Sequence, residues 1–297
     1  MKPLAGVRIL EFDGLGPVTF AGMVLADLGA DVIRLTRGGG VPSAVFDDVG
    51  GEILHRGRAA LPVDLKSPQD RDQVLALAAR ADAVIEGFRP GVMERLGLGP
   101  DTLQSVNPRL VYARVTGWGQ DGPMADKVGH DINYIALSGA LHPMGEPDRP
   151  PRPPLNLVGD YGGGAMAAVV GLLAALIAAR TTGRGVVVDA AMTDGSALLG
   201  SLFHALSGRG LWSDRRGANL LDGGAPFYRC YECKDGKFIA VGALEPRFYA
   251  ALLSGLQIPT DEAPQYDFVG WPALHRRLEV LFATRDRDEW AGRFAGT

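Results

Sequence analysis

Cysteines, lysines and long apolar segments are scarce in this sequence. Two cysteines, Cys230 and Cys233, among 297 residues are too few for the disulfide framework of a secreted domain. The longest apolar run, Ala165 to Ala178, is shorter than the roughly 20 residues that cross a bilayer as a helix. Residues 1–12 lack the basic head and apolar core of a signal peptide. We therefore expect a cytoplasmic protein with no membrane partner.

Positive charge is limited as well. The formal net charge is −4, so no basic field favours nucleic acid as a partner. Lysine occurs at only five positions, so most basic residues are arginines, which suit bidentate contacts with phosphate groups. Hydrophobic residues make up 46% of the chain, enough for a sizeable core. A soluble enzyme with a phosphate-rich ligand is compatible with this composition.

Strand-like and helix-like patterns alternate through the first two thirds of the chain. They predict a strand over Val7 to Phe12, a helix from Pro17, and a second strand over Asp31 to Leu35. Further strands are predicted at 61–65, 83–86, 110–115 and 186–189. Such βαβ units form an open, Rossmann-like α/β sheet that binds ligands at the carboxyl edge of its strands.

A polar, glycine-rich stretch without clear periodicity covers residues 209–224. We predict a linker there, between a large α/β domain of residues 1–208 and a small α+β domain of residues 225–297. In the small domain, Lys234-Asp235-Gly236 separates two strand-like runs and predicts a hairpin, which helical patterns follow.

The first acid–base candidate is the pair His130 and Asp131. A neutral imidazole near pH 7 is the usual general base, and a neighbouring carboxylate can fix its tautomer. Adjacent residues on a helix point about 100° apart, however, so the two side chains need not touch. A half-buried structural histidine explains the pair equally well.

The second candidate is Asp160, which precedes Gly162 to Gly164 at the start of a long apolar helix. A helix N-terminus offers N–H groups to an anion, and the glycines would let a ligand approach the backbone. A plain N-cap is the simpler interpretation, because capping is the commonest role of aspartate before a helix. The helix itself is apolar on nearly all sides and is predicted to be buried.

Other residues show weaker patterns. Arginines near the predicted carboxyl-edge loops could hold a phosphorylated ligand, although solvated surface charge explains each one singly; they are Arg37, Arg56, Arg58, Arg89 and Arg95. Cys230 and Cys233 match C-x-x-C but lie on a predicted strand without a second ligand pair, which disfavours a zinc or redox site. Glu245 follows the hairpin and is equally well explained as a carboxylate at a helix start.

Two runs form a specific pair, Gly129-His130-Asp131-Ile132-Asn133-Tyr134 and Pro154 to Gly164. Further runs accompany them: Leu28 to Arg34, Val63 to Lys66, Glu86 to Gly91, Gly117 to Gln120, Asp189 to Met192 and Asp222 to Tyr228. Together these runs resemble the class III CoA-transferase superfamily, and within it the members that racemise 2-methylacyl-CoA thioesters. The resemblance covers nearly the whole chain.

The resemblance implies a large Rossmann-like domain and a small α+β domain in an interlocked homodimer. It implies that His130 and Asp160 exchange the α-proton of a 2-methylacyl-CoA, with Asp131 supporting His130. Removal of this proton makes an enolate, and backbone N–H groups around Asp160 can stabilise its oxygen. Glu245 would reach the same site, typically from the partner subunit. CoA would be part of the acyl-CoA substrate, so no separate cofactor and no metal is expected. The positions that match CoA-binding segments are Arg37, Val63, Asp64, Leu65, Lys66, Gly87, Phe88, Arg89, Arg95, Gly129 and Tyr134.

Two alternatives stay open beside this interpretation. Transferase members of the superfamily use an aspartate that matches Asp160 as a nucleophile, moving CoA between carboxylic acids, but usually lack a histidine that matches His130. Members of the superfamily also continue beyond Thr297 into a segment that returns to the large domain. We expect this chain to have the family fold without that segment, so a non-catalytic acyl-CoA-binding form is the second alternative.

Overall fold

The computed structural model describes residues 2–37 and 51–296 of the chain, which form two compact units. Unit 1 comprises residues 1–141 and 153–201, and unit 2 comprises residues 142–152 and 202–297. The segment 142–152, which the sequence assigns to the large domain, groups with unit 2. The predicted boundaries of the linker at 209–224 stay a prediction.

Unit 1 is built on a six-stranded parallel sheet with the strand order β3-β2-β1-β4-β5-β6. The strands are β1 (Arg8–Phe12), β2 (Asp31–Arg37), β3 (Arg58–Val63), β4 (Ala83–Glu86), β5 (Val111–Thr116) and β6 (Val187–Ala191). The order reverses between β1 and β4, which is the topological switch point where open α/β sheets bind ligands. The predicted α/β class with an open, Rossmann-like sheet is confirmed.

Helices cover both faces of this sheet. They are α1 (Pro17–Asp27), α2 (Gly51–Leu54), α3 (Pro68–Ala78), α4 (Val92–Arg95), α5 (Pro100–Val106), α6 (Asp131–Leu137), a π-helix (Leu157–Met166), α7 (Ala167–Thr182) and α8 (Met192–Leu199). The next helix, α9 (Ser201–Gly208), belongs almost entirely to unit 2. Ile9 and Val32 belong to the core that includes residues of α1 and α7, whereas Leu10 and Val84 belong to the core that includes residues of α3 and α5. Successive strand residues therefore enter opposite cores, as the two-residue period of a strand requires.

The π-helix and α7 run together as the apolar segment Leu157–Thr182. Within the described ranges it is the one helical stretch long and apolar enough to cross a membrane, and 50% of its apolar 18-residue window is buried in the fold. The prediction that this helix is buried on nearly all sides is wrong for one face, where Val170 is 65% and Ile177 is 69% exposed. Partial burial of this kind is also found in core helices of soluble proteins.

Unit 2 contains the predicted hairpin, with β7 (Tyr228–Glu232) antiparallel to β8 (Phe238–Gly242). The hairpin is followed by α10 (Pro246–Leu256), a 3-10 helix (Thr260–Glu262), α11 (Trp271–Phe282) and α12 (Arg287–Arg293). Its core is aromatic: the Tyr231 ring stacks on Phe282 at 4.8 Å, and Phe282 meets Trp290 edge-on at 5.2 Å. Unit 2 therefore has a hydrophobic core of its own.

Candidate active site

The carboxyl ends of the parallel strands place the predicted ligand segments at one edge of unit 1. Arg37 ends β2, Val63 ends β3, and Gly87–Arg89 follows β4. Val63 is buried, with 4% of the residue exposed, so the expected contact between CoA and this position is weakened. The remaining charged positions of the predicted CoA segments are exposed; they are Arg37, Asp64, Lys66, Arg89 and Arg95.

Asp160 lies in the first turn of the π-helix, four residues after its N-cap Asn156. The prediction that Asp160 is a helix N-cap is wrong, because the helix begins earlier, at Leu157. Asn156 Nδ2 donates to Asp160 Oδ2 at 3.3 Å, and the Asn156 carbonyl accepts the Tyr161 N–H at 3.2 Å. π-Helical turns are rare and are frequently found at functional sites.

The glycines after Asp160 make room for another helix. A Cβ on Gly163 would lie 2.7 Å from the Ser196 amide nitrogen, and a Cβ on Gly164 would lie 2.7 Å from Met192 Cγ. Both partners belong to α8. We expected these glycines to let a ligand approach the backbone. They instead let α8 pack closely against the π-helix.

The carboxylate of Asp160 faces the turn between β1 and α1. Gly16, the N-cap of α1, has a positive φ of 70°, and a Cβ there would lie 3.1 Å from Asp160 Oδ2. Phe20 on α1 stacks on Tyr161 with ring centroids 4.3 Å apart. The sequence patterns predicted no role in the site for Gly16 or Asn156. For Gly16, a glycine between a strand and the Pro17 that begins a helix is a signal for such a role.

His130 and Asp131 point to different partners at the start of α6. His130 is the exposed N-cap residue, and its backbone N–H donates to Asn133 Oδ1 at 3.0 Å. Asp131 is buried, and its Oδ2 accepts the backbone N–H of Asp160 at 2.7 Å. Its other oxygen, Oδ1, is buried without a hydrogen-bond partner in the described structure.

This geometry corrects two expectations. Asp131 does not bond the His130 ring, because adjacent residues at a helix start diverge, and its carboxylate anchors the π-helix instead. The amides of Asp160 and Tyr161 already donate to Asp131 and Asn156, so these two N–H groups are not free to stabilise an enolate.

The hydrogen bond between Asp131 and the Asp160 N–H brings His130 and Asp160 onto adjacent elements, the start of α6 and the π-helix. Burial raises the pKa of Asp160 above its ordinary value, and the charge of Asp131 raises it further. The Asn156 hydrogen bond and the charge of His130 act in the opposite direction.

Tyr134 connects this site to the predicted CoA-binding loop. Burial raises the pKa of Tyr134, the charge of Asp160 adds to the rise, and the charge of Arg89 opposes it. Its hydroxyl donates to the Gly129 carbonyl, and its ring meets Trp118 edge-on at 4.8 Å. The charges of Arg89 and Asp160 therefore both act on Tyr134.

Two of the candidate arginines are committed to protein partners. Arg58 forms an ion pair with Glu11, and both side chains are almost completely buried, at 1% and 0% exposure. Arg56 pairs with Asp27 at the surface. The expectation that Arg56 and Arg58 help to hold a phosphorylated ligand is wrong for Arg58, which is inaccessible, and is weakened for Arg56.

Unit 2 contains the remaining candidate residues, Glu245, Cys230 and Cys233. Glu245 is exposed and is the N-cap residue of α10, where its backbone carbonyl accepts the Phe248 and Tyr249 N–H groups at 2.9 Å. Its catalytic role stays a prediction. Cys230 and Cys233 are free thiols. Across residues 2–37 and 51–296, no group of three or more His, Cys, Asp or Glu residues is arranged to hold a metal ion.

Comparison with known proteins gives the class of this fold and site. The family model for CoA-transferase family III matches residues 4–297. The chain therefore belongs to CoA-transferase family III.

Individual proteins of this family are similar to the chain over nearly its full length. The chain is 46% identical to the mouse alpha-methylacyl-CoA racemase and 44% identical to the human one, in each case over 99% of this chain and 75% of the relative. A crystal structure of Rv3272 from Mycobacterium tuberculosis superposes with a TM-score of 0.79 at 30% identity, covering 99% of this chain and 80% of that chain. Rv3272 is described as a probable fatty acyl-CoA transferase.

Proposed function

We propose that this chain is an isomerase that interconverts the R and S epimers of 2-methylacyl-CoA thioesters. The observation that supports the proposal is the hydrogen bond from the Asp160 N–H to Asp131, the neighbour of His130, which brings the two candidate bases onto adjacent elements of a family III fold. Its similarity to the mouse and human racemases supports the same reaction.

The reaction is a proton transfer through an enolate. The thioester acidifies the α-hydrogen, and one base removes it. The second base, in its protonated form, then returns a proton to the same carbon from the opposite face. Inversion requires one group to be deprotonated while the other is protonated, so both must titrate near neutral pH. An imidazole ordinarily does so, and burial moves the pKa of Asp160 upward, toward that range.

The surroundings of the two bases suit an acyl-CoA. Arg89 offers an exposed cation near Tyr134 for the CoA phosphates. Leu15, next to Gly16, is 65% exposed, and Leu157 at the start of the π-helix is 53% exposed, so apolar surface for the acyl chain adjoins Asp160. We also propose a cytoplasmic homodimer that acts in fatty acid metabolism and receives Glu245 from the partner subunit.

Deuterium exchange tests the proposal. One epimer of a 2-methylacyl-CoA is incubated with the protein in D₂O, and the α-position is followed by NMR and by separation of the epimers. We expect deuterium to enter together with formation of the opposite epimer.

The competing reaction has a distinct signature. Absence of exchange, with CoA transfer to an added carboxylic acid and an Asp160 adduct that hydroxylamine traps, would replace the racemase by a transferase. A monomer in gel filtration that binds CoA and catalyses neither reaction would instead be an acyl-CoA-binding form.

A further inference from the structure

Glu86, the last residue of β4, is completely buried beneath the loop Gly87–Arg89, at 0% exposure. Its Oε2 accepts the backbone N–H of Phe88 at 2.6 Å. Its Oε1 accepts the Nε–H of Arg114, on the neighbouring strand β5, at 3.1 Å. One carboxylate therefore joins the loop to the sheet at the topological switch point.

Arg114 is fixed from its other side as well. Its Nη1 and Nη2 donate to the two carboxylate oxygens of Glu94, on α4, at 2.8 and 3.2 Å. This bidentate geometry holds the guanidinium in one orientation. The network thus joins β4, β5 and α4, and α4 ends with Arg95, another residue of the predicted CoA segments.

The loop that Glu86 holds also contacts α1 and β5 at its first residue, Gly87. A Cβ on Gly87 would lie 2.7 Å from Val18 Cγ2 on α1 and 3.3 Å from the Val115 carbonyl, so one side of the backbone at Gly87 packs closely against α1 and β5. The exposed Arg89 follows directly, and its charge acts on Tyr134 in the acid–base site. The backbone conformation at Phe88 therefore determines where the Arg89 guanidinium is presented.

We propose that Glu86 is a positioning residue for CoA: through the Phe88 N–H it sets the conformation of the loop Gly87–Arg89. The inference rests on the proposed function, which assigns that loop to CoA. A buried carboxylate costs free energy unless its oxygens are bonded, and here one of the two bonds goes to a ligand-facing loop. Glu86 does not touch the reacting atoms and acts only through the loop.

The same unit contains a matched control. Glu11 is also completely buried on a strand of the sheet, and its side chain also pairs with a buried arginine, Arg58. Its Oε2 bonds Arg58, and its Oε1 has no hydrogen-bond partner among the described residues. Glu11→Gln therefore reproduces the chemical change at Glu86 without releasing a loop of the predicted CoA segments.

Glu86→Gln tests the inference, because an amide has one acceptor oxygen where the carboxylate has two. The Arg114 cation repels the amide NH2 group, so the oxygen stays on Arg114 and the Phe88 N–H loses its acceptor. The dissociation constant of CoA is measured by calorimetry, KM and kcat by epimerisation, and amide exchange in the peptide that contains Phe88 by mass spectrometry. We expect the dissociation constant and KM to rise about tenfold, kcat to stay within about twofold, and Phe88 to exchange faster. Glu11→Gln should leave the dissociation constant, KM and Phe88 exchange unchanged.

The outcomes separate this inference from the proposed function. Unchanged CoA affinity in folded Glu86→Gln, with wild-type protein binding CoA, overturns the positioning role alone. Wild-type protein that does not bind CoA refutes the proposed function and the inference with it. If Glu86→Gln does not fold, Glu94→Gln takes its place. It weakens the ion pair between Arg114 and the half-exposed Glu94, and so loosens the guanidinium that bonds Glu86. That variant should weaken CoA binding about two- to threefold, and unchanged binding there counts against the role.

Discussion

The carboxylate of Asp131 accepts the backbone N–H of Asp160 at 2.7 Å, which ties the start of α6 to the π-helix. Gly159 permits this approach, because a Cβ at that position would lie 2.6 Å from Asp131 Oδ2. The bond fixes the backbone of Asp160 and brings a second negative charge close to its side chain. Burial is the larger cause of the raised pKa of Asp160, and Asp131 adds to it.

Replacement of Asp131 by asparagine should separate these two effects. Asparagine keeps an acceptor oxygen for the Asp160 N–H but lacks the charge. A neighbouring negative charge makes ionisation harder, so its removal lowers the pKa of Asp160. We expect the acid limb of the pH profile of kcat/KM to move to lower pH, with the maximal rate within about tenfold of wild type.

Asp189→Asn is the control for this shift. Asp189 Oδ2 also accepts a backbone N–H, that of Gln120 at 2.8 Å, but Asp189 is not among the groups that shift the pKa of Asp160. Its pH profile should match that of the wild type. An acid limb that stays in place in Asp131→Asn would show that the charge of Asp131 does not tune Asp160.

Single replacement of either base should stop inversion but leave half of the exchange reaction. His130→Ala and Asp160→Ala are each expected to slow epimer interconversion by about a thousandfold. The remaining base can still remove and return a proton on its own face, so each variant should exchange the α-hydrogen of one epimer with retention. The two variants should act on opposite epimers in D₂O. Full inversion by either variant would refute the two-base assignment.

Gly16 should be needed for the position of the Asp160 carboxylate. In Gly16→Ala the new Cβ would lie 3.1 Å from Asp160 Oδ2, so the carboxylate must shift. We expect kcat to fall about tenfold or more. Gly6→Ala is the matched control, since Gly6 also has a positive φ, of 82°, but has nothing within 4 Å of the added Cβ.

Both glycine variants should lose roughly 1 kcal/mol of unfolding free energy, measured in urea, because alanine is strained at positive φ. Only Gly16→Ala should lose activity beyond what this destabilisation explains. Equal kcat values in the two variants would remove Gly16 from the site.

The buried carboxyl groups predict how stability depends on pH. Burial raises the pKa of Glu11 from its ordinary 4.5 to about 7, although Arg58 acts in the opposite direction. The folded protein then binds this proton more tightly than the unfolded chain, so the free energy of unfolding falls as pH rises from about 4.5 to 7. The contribution is on the order of 2–3 kcal/mol.

Urea unfolding of wild type and Glu11→Gln at pH 4.5 and 7.5 measures this contribution. Glutamine does not titrate, so the difference in unfolding free energy between the two proteins should change with pH by about that amount, in favour of the variant at higher pH. A difference that is independent of pH would show that Glu11 titrates near its ordinary value. Glu86 has a pKa raised to about 7 by the same cause and contributes equally to both proteins.

Local patterns in the sequence were sufficient for the architecture. The βαβ start was predicted from an apolar strand, Pro17 at a helix start and Gly29 after its end, and the structure has β1, α1 and β2 there. The hairpin of unit 2 followed from Lys234-Asp235-Gly236 between two strand-like runs. These predictions succeeded because strand periodicity, helix starts and turns depend on residues close together in the chain.

The residue types of the site also follow from the sequence, since the histidine and the two aspartates are visible in two specific runs. Only the tertiary structure decided how they are connected. Asp131 bonds the backbone of Asp160, 29 residues away, instead of its neighbour His130. Arg58 is buried against Glu11, 47 residues away, instead of lying free for a ligand. The partner of a buried charge and the pKa that results depend on which distant elements the fold brings together, and no local pattern encodes that.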